Sequence, residues 1–262
     1  MKQTIISRFL AVALMMTTGN LAAKAGWTDN LSPYDLNAPL GWATVDGNVT
    51  GGEGGTKVTV TNKTELMNAL KGTDKKIIYV DGEIEFSGIT NVKGVQNKTI
   101  IGMKGAAFVN SKHSASVSET GIMQLSSCKN IILRNIIFKS AGAYDIDGND
   151  NLTIIGSTYI WVDHCDFQDG VDGNFDCVNG SDNICVTWCR FRYLIAPWAG
   201  GSGGSNDHRN CDLWGNSDKR SEDEGHLRTT FANCWWDEGC SERMPRVRFG
   251  QVHIQNCLYS SS

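Results

Sequence analysis

The chain has 262 residues, a formal net charge of −4, and a composition of 40% hydrophobic and 20% charged residues. This length is enough for one core, and the acidic balance argues against a nucleic-acid-binding protein. No apolar run is long enough to cross a bilayer as a helix. We therefore predict a folded monomer that has no membrane span and binds no nucleic acid.

Residues 1–25 have the features of a secretory signal peptide. Lys2 and Arg8 are basic, an apolar stretch follows, and Ala23 and Ala25 form a small-x-small cleavage site. Cleavage there would leave residues 26–262 and change the formal net charge from −4 to −7, because three basic residues and no acid are removed. We expect a secreted or periplasmic protein, and the sequence leaves the choice between these two locations open.

The glycine-rich run 51–55 leads into the first predicted elements of the mature chain. Strands are predicted over 57–61, 76–80 and 98–101. Between the first two of these, Asn62 and Glu65 have the spacing of a capping box, and Gly72 is a stop signal. The sequence therefore predicts a short helix, which would cap the open end of a solenoid.

Five cysteines in the second half of the chain mark a repeat. They are separated by 24, 22, 23 and 23 residues: Cys165, Cys189, Cys211, Cys234 and Cys257. A bulky apolar residue follows each by two positions: Phe167, Phe191, Leu213, Trp236 and Tyr259. An earlier unit has Ile136 in the cysteine position. Short strand-like runs at this period are typical of a solenoid, so we predict an all-β fold, a single-stranded parallel β-helix.

The residue before each repeat position indicates a bend. It is asparagine in most units: Asn135, Asn210, Asn233 and Asn256, with His164 and Trp188 in the other two. Asparagine tolerates left-handed backbone, and stacked asparagines can form a hydrogen-bonded ladder. We interpret the cysteines as a column of inward-facing apolar residues, since metal-binding spacings are absent. Mostly free thiols are expected, and some bridging between neighbouring coils stays open.

Acidic residues cluster around the third recognisable coil: Asp147, Asp150, Asp163, Asp166, Asp169, Asp172 and Asp176. Asp172 and Asp176 are four residues apart, and Asp150 precedes them by about one coil, so stacking would bring Asp150 beside one of them. Carboxylate oxygens are ligands of Ca²⁺. A solvated acidic rim on loops is the alternative, and these residues alone leave both interpretations open.

Basic residues follow near the end of the chain, at Arg243, Arg246 and Arg248. They are either surface charge on a strand edge or cations that hold a polyanion against a metal. Asp163 and His164 are adjacent, but neighbouring strand residues face opposite sides of a sheet. We therefore expect a structural role for this pair at a coil corner.

Several ordered motifs resemble the pectate lyase superfamily over about residues 45–259. These motifs are Trp-Val-Asp-His at 161–164, Gly-Ser-Asp-Asn at 180–183 with Val-Thr-Trp at 186–188, and Arg243-x-Pro-x-x-Arg248-x-Gly250. The resemblance implies a right-handed parallel β-helix that cleaves α-1,4-linked polygalacturonate, the backbone of pectin, by Ca²⁺-dependent β-elimination. It also implies that Asp150, Asp172 and Asp176 bind Ca²⁺, that Arg243 abstracts the proton, and that Arg248 binds a substrate carboxylate.

The chain departs from the family pattern in two places. Asn210 stands where the family has a substrate-binding lysine, so the neighbouring Arg209 is our candidate substitute, and the glycine-rich run 200–204 would allow the rearrangement. Family domains also continue with further coils, so we expect 26–262 to be C-terminally incomplete. These departures keep a second hypothesis open, a non-catalytic β-helix module that binds acidic polysaccharide.

An arginine base carries a prediction of its own. A guanidinium loses its proton only with difficulty, so activity that depends on Arg243 as base should have an alkaline optimum. The initial rate of formation of unsaturated product, followed from neutral to alkaline pH, checks this. A flat profile would count against Arg243 as the base.

Overall fold

A computed structural model describes residues 38–201, 207–215 and 220–260. In these residues the strands follow one another around coils, and from β4 onwards each coil adds one strand to each of three parallel sheets. This architecture is the parallel β-helix, which confirms the predicted fold class. The predicted signal peptide and positions 202–204 of the glycine-rich run lie outside the described residues.

The strands are numbered β1–β21 in chain order. One sheet has eight: β1 (Thr56–Val60), β2 (Lys76–Val80), β5 (Gln96–Gly102), β8 (Lys129–Arg134), β11 (Thr158–Asp163), β14 (Asp182–Thr187), β17 (Thr229–Ala232) and β20 (Val252–Gln255). A second has seven: β3 (Glu83–Glu85), β6 (Ala107–Val109), β9 (Ile137–Lys139), β12 (Asp166–Gln168), β15 (Arg190–Arg192), β18 (Trp235–Trp236) and β21 (Leu258–Tyr259). The third, which we call the site sheet, has six: β4 (Thr90–Lys93), β7 (Met123–Ser126), β10 (Leu152–Ile155), β13 (Phe175–Val178), β16 (Leu213–Trp214) and β19 (Arg246–Val247).

The helical elements are short. Among the described residues they are two α-helices, α1 (Lys63–Leu70) and α2 (Arg220–Asp223), and two 3₁₀ turns, Gly41–Thr44 and Val117–Glu119. The N-cap is Asn62 as predicted, because its side chain accepts a hydrogen bond from the Glu65 amide at 3.0 Å. Helix α1 buries Leu66 and Leu70 in the core beside β1 and β2, so it caps the first coil. Among the described residues, no helix combines the length and apolarity needed to cross a membrane.

Aromatic rings form a continuous ladder inside the solenoid. One ring comes from each successive coil, and neighbouring ring centroids are 4.8–5.4 Å apart: Phe108, Phe138, Phe167, Phe191, Trp236 and Tyr259. Four of these are the predicted apolar residues that follow a cysteine by two positions, and Phe138 follows Ile136 in the same way. Parallel pairing places equivalent residues of adjacent coils directly above one another, so the repeat in the sequence becomes a stack in space.

The predicted corners and thiols have the expected geometry. Asn135, Asn233 and Asn256 are left-handed, with φ of 56°, 58° and 50°, and so are His164 and Trp188. The side-chain Nδ2 of Asn256 donates to Asn233 Oδ1 at 2.5 Å, which forms one step of the predicted asparagine ladder. All nine cysteines are free, and eight of them are buried. Burial raises the pKa of the Cys177 thiol well above its usual range, which keeps this thiol protonated and unreactive.

One unit of the predicted repeat is wrong. Cys211 and Leu213 belong to the site sheet, where β16 pairs with β13 and β19, and Asn210 is not left-handed. The thiol after Cys189 in the stack is Cys234, because Arg190 pairs directly with Trp235. The chain between them is therefore one long coil, whose length matches two ordinary coils by coincidence.

The expected separation of Asp163 and His164 is also wrong. His164 Nδ1 lies 2.8 Å from Asp163 Oδ2, because the left-handed backbone of His164, with φ of 50°, turns its side chain back towards its neighbour. Asp163 is fully buried and accepts hydrogen bonds from Arg134 Nε at 2.7 Å and Thr187 Oγ1 at 2.6 Å. These contacts place Asp163 in a structural network on the eight-stranded sheet.

The aromatic ladder predicts where the fold is most sensitive to truncation. Phe167 is fully buried between two rings, so Phe167→Ala should lower the free energy of unfolding by about 3–5 kcal/mol. Val117 is 46% exposed, so Val117→Ala should change it by less than about 0.5 kcal/mol. Urea denaturation measures both values, and equal losses would contradict this account of the core.

Candidate active site

Two acidic side chains meet on the site sheet because their coils are in register. Thr153 of β10 pairs with Asp176 of β13, and the main-chain N–H of Asn151 donates to the Gly173 carbonyl at 3.1 Å. Asp150 therefore lies at the level of Gly173, one coil before it. Gly173 in turn pairs with Asn210 of the next coil. The sequence thus brings Asp150 and Asp176 to the same part of the sheet, on either side of a residue without a side chain.

The space beside Gly173 is lined by oxygen atoms. A Cβ on this glycine would lie 2.8 Å from Asp150 Oδ1, 3.3 Å from Asp176 Oδ1 and 3.5 Å from the main-chain oxygen of Asn210. We call this space the Gly173 cradle. The carboxylates are held in place, since Thr153 Oγ1 donates to Asp150 Oδ2 at 2.8 Å and the Leu213 amide donates to Asp176 Oδ1 at 2.9 Å.

The two carboxylates make the cradle attractive to a cation. Burial, together with the nearby charge of Asp172, raises the pKa of Asp150 to about 7. Burial and the charge of Asp150 raise the pKa of Asp176 well above its usual range. Both carboxyl groups therefore lack a full countercharge. Carboxylate and main-chain oxygens around one space fit the ligand preference of Ca²⁺.

Asp172 is the third acidic residue predicted for this site, and its hydrogen-bond partner belongs to the long coil between Cys189 and Cys234. His208 Nε2 lies 2.8 Å from Asp172 Oδ1 in a hydrogen bond. Over the described ranges, no group of three His, Cys, Asp or Glu side chains is arranged to hold a metal ion. A cation in the Gly173 cradle would therefore need further oxygen ligands besides the carboxylates of Asp150 and Asp176.

Arg243 lies near both carboxylates on a strained segment. Its charge acts against burial on the pKa of Asp150 and of Asp176, which places the guanidinium within electrostatic reach of both. Its backbone is left-handed, with φ of 55°, an uncommon conformation for a residue with a side chain. The Asp212 amide fixes this conformation by donating to the Arg243 carbonyl at 2.7 Å. The Nε atom of Arg243 is buried without a hydrogen-bond partner among the described residues.

The two other predicted basic residues differ in their surroundings. Arg248 follows β19, where its amide donates to the Trp214 carbonyl at 2.6 Å, and its Nη1 is buried without a hydrogen-bond partner in the described part of the chain. Arg209 is engaged, because its Nε and Nη2 atoms donate to the two carboxylate oxygens of Asp207 at 2.7 and 2.6 Å. Arg248 thus has a donor atom, Nη1, that is available for a ligand, whereas the Nε and Nη2 donors of Arg209 are used by Asp207.

The sequence interpretation did not identify two residues at this site. Gly173 had a usable signal, since it follows Asp150 by one coil and lies between Asp172 and Asp176. His208 had none, because it belongs to the long coil whose path the repeat does not predict. Its contact with Asp172 becomes visible only in three dimensions.

Comparison with known sequences identifies the family. The family model described as pectate lyase matches residues 16–262. Pectate lyase plyB of Emericella nidulans is 32% identical over 270 residues, which cover 100% of this chain and 73% of the relative. A probable pectate lyase B of Aspergillus terreus is 33% identical and covers 84% and 61%, respectively. A pectate trisaccharide-lyase of Thermotoga maritima is 32% identical and covers 85% and 57%, so the chain spans little more than half of that relative.

Solved structures share the fold. A Bacillus subtilis pectate lyase mutant superposes with a TM-score of 0.66 at 24% identity, over 86% of this chain and 73% of the other. The cedar pollen allergen jun a 1 has a TM-score of 0.62 at 20% identity, over 88% and 71%. At these identities the structures support the β-helix alone. The family match over residues 16–262 and the 32% identity to the Emericella nidulans relative lead to one conclusion: the chain belongs to the pectate lyase family.

Proposed function

We propose that this protein is a Ca²⁺-dependent pectate lyase that cleaves α-1,4-linked polygalacturonate by β-elimination. The observation that carries the proposal is the Gly173 cradle, where oxygens of Asp150 and Asp176 face one space with Arg243 in electrostatic reach. The named relatives at 32–33% identity are described as pectate lyases or pectate trisaccharide-lyases, which supports lyase activity on pectate. An exported enzyme fits a polymeric substrate and the predicted signal peptide.

The basic residues would meet a uronate substrate from the following coils. The guanidinium of Arg248 has an unused buried donor and would bind a sugar carboxylate. The side chain of Arg243, once its guanidinium has lost a proton to the alkaline medium, would take the proton from C5 of the sugar. The C5–H electron pair then forms the C4–C5 double bond as the C4–O bond breaks, and the leaving oxygen takes up a proton. Arg209 would contribute only after its ion pair with Asp207 opens.

The acidic residues would prepare the same reaction. When bound, Ca²⁺ would be held by Asp150 and Asp176, with Asp172 beside them, and would draw charge from the substrate carboxylate, which acidifies C5–H. Thr153 and the Leu213 amide would keep the two carboxylates in place during this step. Fixed partners of this kind reduce the reorganisation that the transition state requires.

A non-catalytic module that binds acidic polysaccharide is the second candidate. The engagement of Arg209 by Asp207 favours it, because that pairing leaves fewer cations to bind substrate. The raised pKa of Asp150 and of Asp176 near Arg243 favours an enzyme, since perturbed carboxyl groups concentrate at active sites. The two candidates differ in one observable, the appearance of an unsaturated product.

Removal of Arg243 tests catalysis directly. Arg243→Ala should lower kcat on polygalacturonate by roughly 100-fold or more, because it removes the proposed base and a charge near the reacting carboxylate. Ultraviolet absorbance of the unsaturated product measures the rate, with added Ca²⁺ and with a chelator. Arg220→Ala is the matched control, since Arg220 is 69% exposed and paired with Glu224. Binding of polygalacturonate without any product from the wild type would favour the binding module.

Filling the Gly173 cradle tests the metal site without changing a charge. Gly173→Ala places a methyl group 2.8 Å from Asp150 Oδ1, so we expect Ca²⁺ affinity to fall by about tenfold or more. The thermal midpoint measured in chelator gives the cost of displacing the Asp150 carboxylate, and the further stabilisation by Ca²⁺ above that midpoint should decrease relative to the wild type. Unchanged stabilisation by Ca²⁺ would place the cation elsewhere.

A further inference from the structure

One histidine connects two acidic side chains beside the Gly173 cradle. The imidazole of His208 lies with Nε2 2.8 Å from Asp172 Oδ1 and with Nδ1 3.1 Å from Asp145 Oδ1. Because the Asp172 carboxylate only accepts, Nε2 carries the proton of this contact, and the Nδ2 atom of Asn210, 2.9 Å from the same Nε2 atom, is not its hydrogen-bond donor. All three side chains of the Asp145–His208–Asp172 group are largely buried, with exposures of 10%, 17% and 25%.

Main-chain pairing fixes the positions of both His208 and Asp145. His208 belongs to the long coil, and Asn210, two residues later, pairs with Gly173 in the site sheet. Asp145 belongs to the segment that leads to Asp150, and its neighbour Tyr144 pairs with Trp198 of the long coil. The imidazole therefore joins the long coil to the segment before Asp150, directly beside the carboxylates.

We infer that His208, oriented by Asp145, is a positioning residue that fixes Asp172 for a cation held in the Gly173 cradle. The hydrogen bond engages Asp172 Oδ1 and restricts the rotation of that carboxylate. Partners that fix a ligand in this way typically change metal affinity by about 10- to 100-fold when they are removed. This inference rests on the proposed function, because it assumes that Ca²⁺ binds beside Asp150 and Asp176.

A purely structural contact between the two segments is the competing explanation. It predicts that any change at His208 reduces stability and that added Ca²⁺ restores nothing. A positioning role predicts instead that the donor atom matters. Glutamine at this position can donate from its amide to Asp172, whereas alanine cannot. The two explanations therefore separate in a comparison of these substitutions.

The experiment is a calorimetric titration of the full chain with Ca²⁺. We expect His208→Ala to weaken binding by about tenfold or more and His208→Gln by less than about threefold. Asp145→Asn should fall between them, because the imidazole keeps its bond to Asp172 but loses its orienting charge. His226→Ala is the control, since His226 is 52% exposed and its Nδ1 is 3.9 Å from Asp182 Oδ2, and its affinity should equal the wild-type value.

Turnover of polygalacturonate provides the second readout. Saturating Ca²⁺ should return kcat of His208→Ala to near the wild-type value, since positioning acts through metal occupancy. Wild-type affinity in His208→Ala, tighter binding, or equal losses in the alanine and glutamine variants would each overturn the inference. A wild-type chain that binds no Ca²⁺ would overturn the proposed function and this inference with it.

Discussion

The stacking of parallel coils is the constraint on which the rest of this structure depends. Each strand is hydrogen-bonded to the equivalent strand of the coils before and after it, at a spacing of about 4.8 Å. One residue therefore lies above another of the same kind, and the interior becomes a set of columns. The aromatic ladder and the column of thiols are two such columns. The same registration brings Asp150 beside Asp176 and leaves Gly173 as a gap between neighbours.

Much of this arrangement could be predicted from the sequence, because residues one repeat apart along the chain lie next to each other on adjacent coils. The helix cap at Asn62, the left-handed corners and the proximity of Asp150 to the acidic pair all follow from local chemistry and coil length. Prediction failed where the coil length changed. Cys211 kept the numerical period while the chain made one long coil. Asp163 and His164 came together because a left-handed residue breaks the alternation of a strand.

The site also shows which contacts a repeat cannot predict. Asp172 contacts a residue of the long coil, His208, and that contact depends on a path for which no period exists. Burial makes such contacts important, because a carboxylate in a dry environment needs a partner. Asp150 and Asp176 have too little countercharge, and Arg243 supplies only part of it. The balance of charge at the cradle is therefore set by residues from different coils.

The long coil has a consequence for how such a protein can diversify. The chain between Cys189 and Cys234 is longer than an ordinary coil, yet Arg190 and Trp235 still pair as ordinary neighbours. An insertion at this point lengthens the chain without altering the pairing of β15 with β18. Substitutions in the long coil can thus change the residue that contacts Asp172, while the aromatic ladder continues to stabilise the fold. In this chain, the contacts of the candidate site and the packing of the core can therefore change independently of each other.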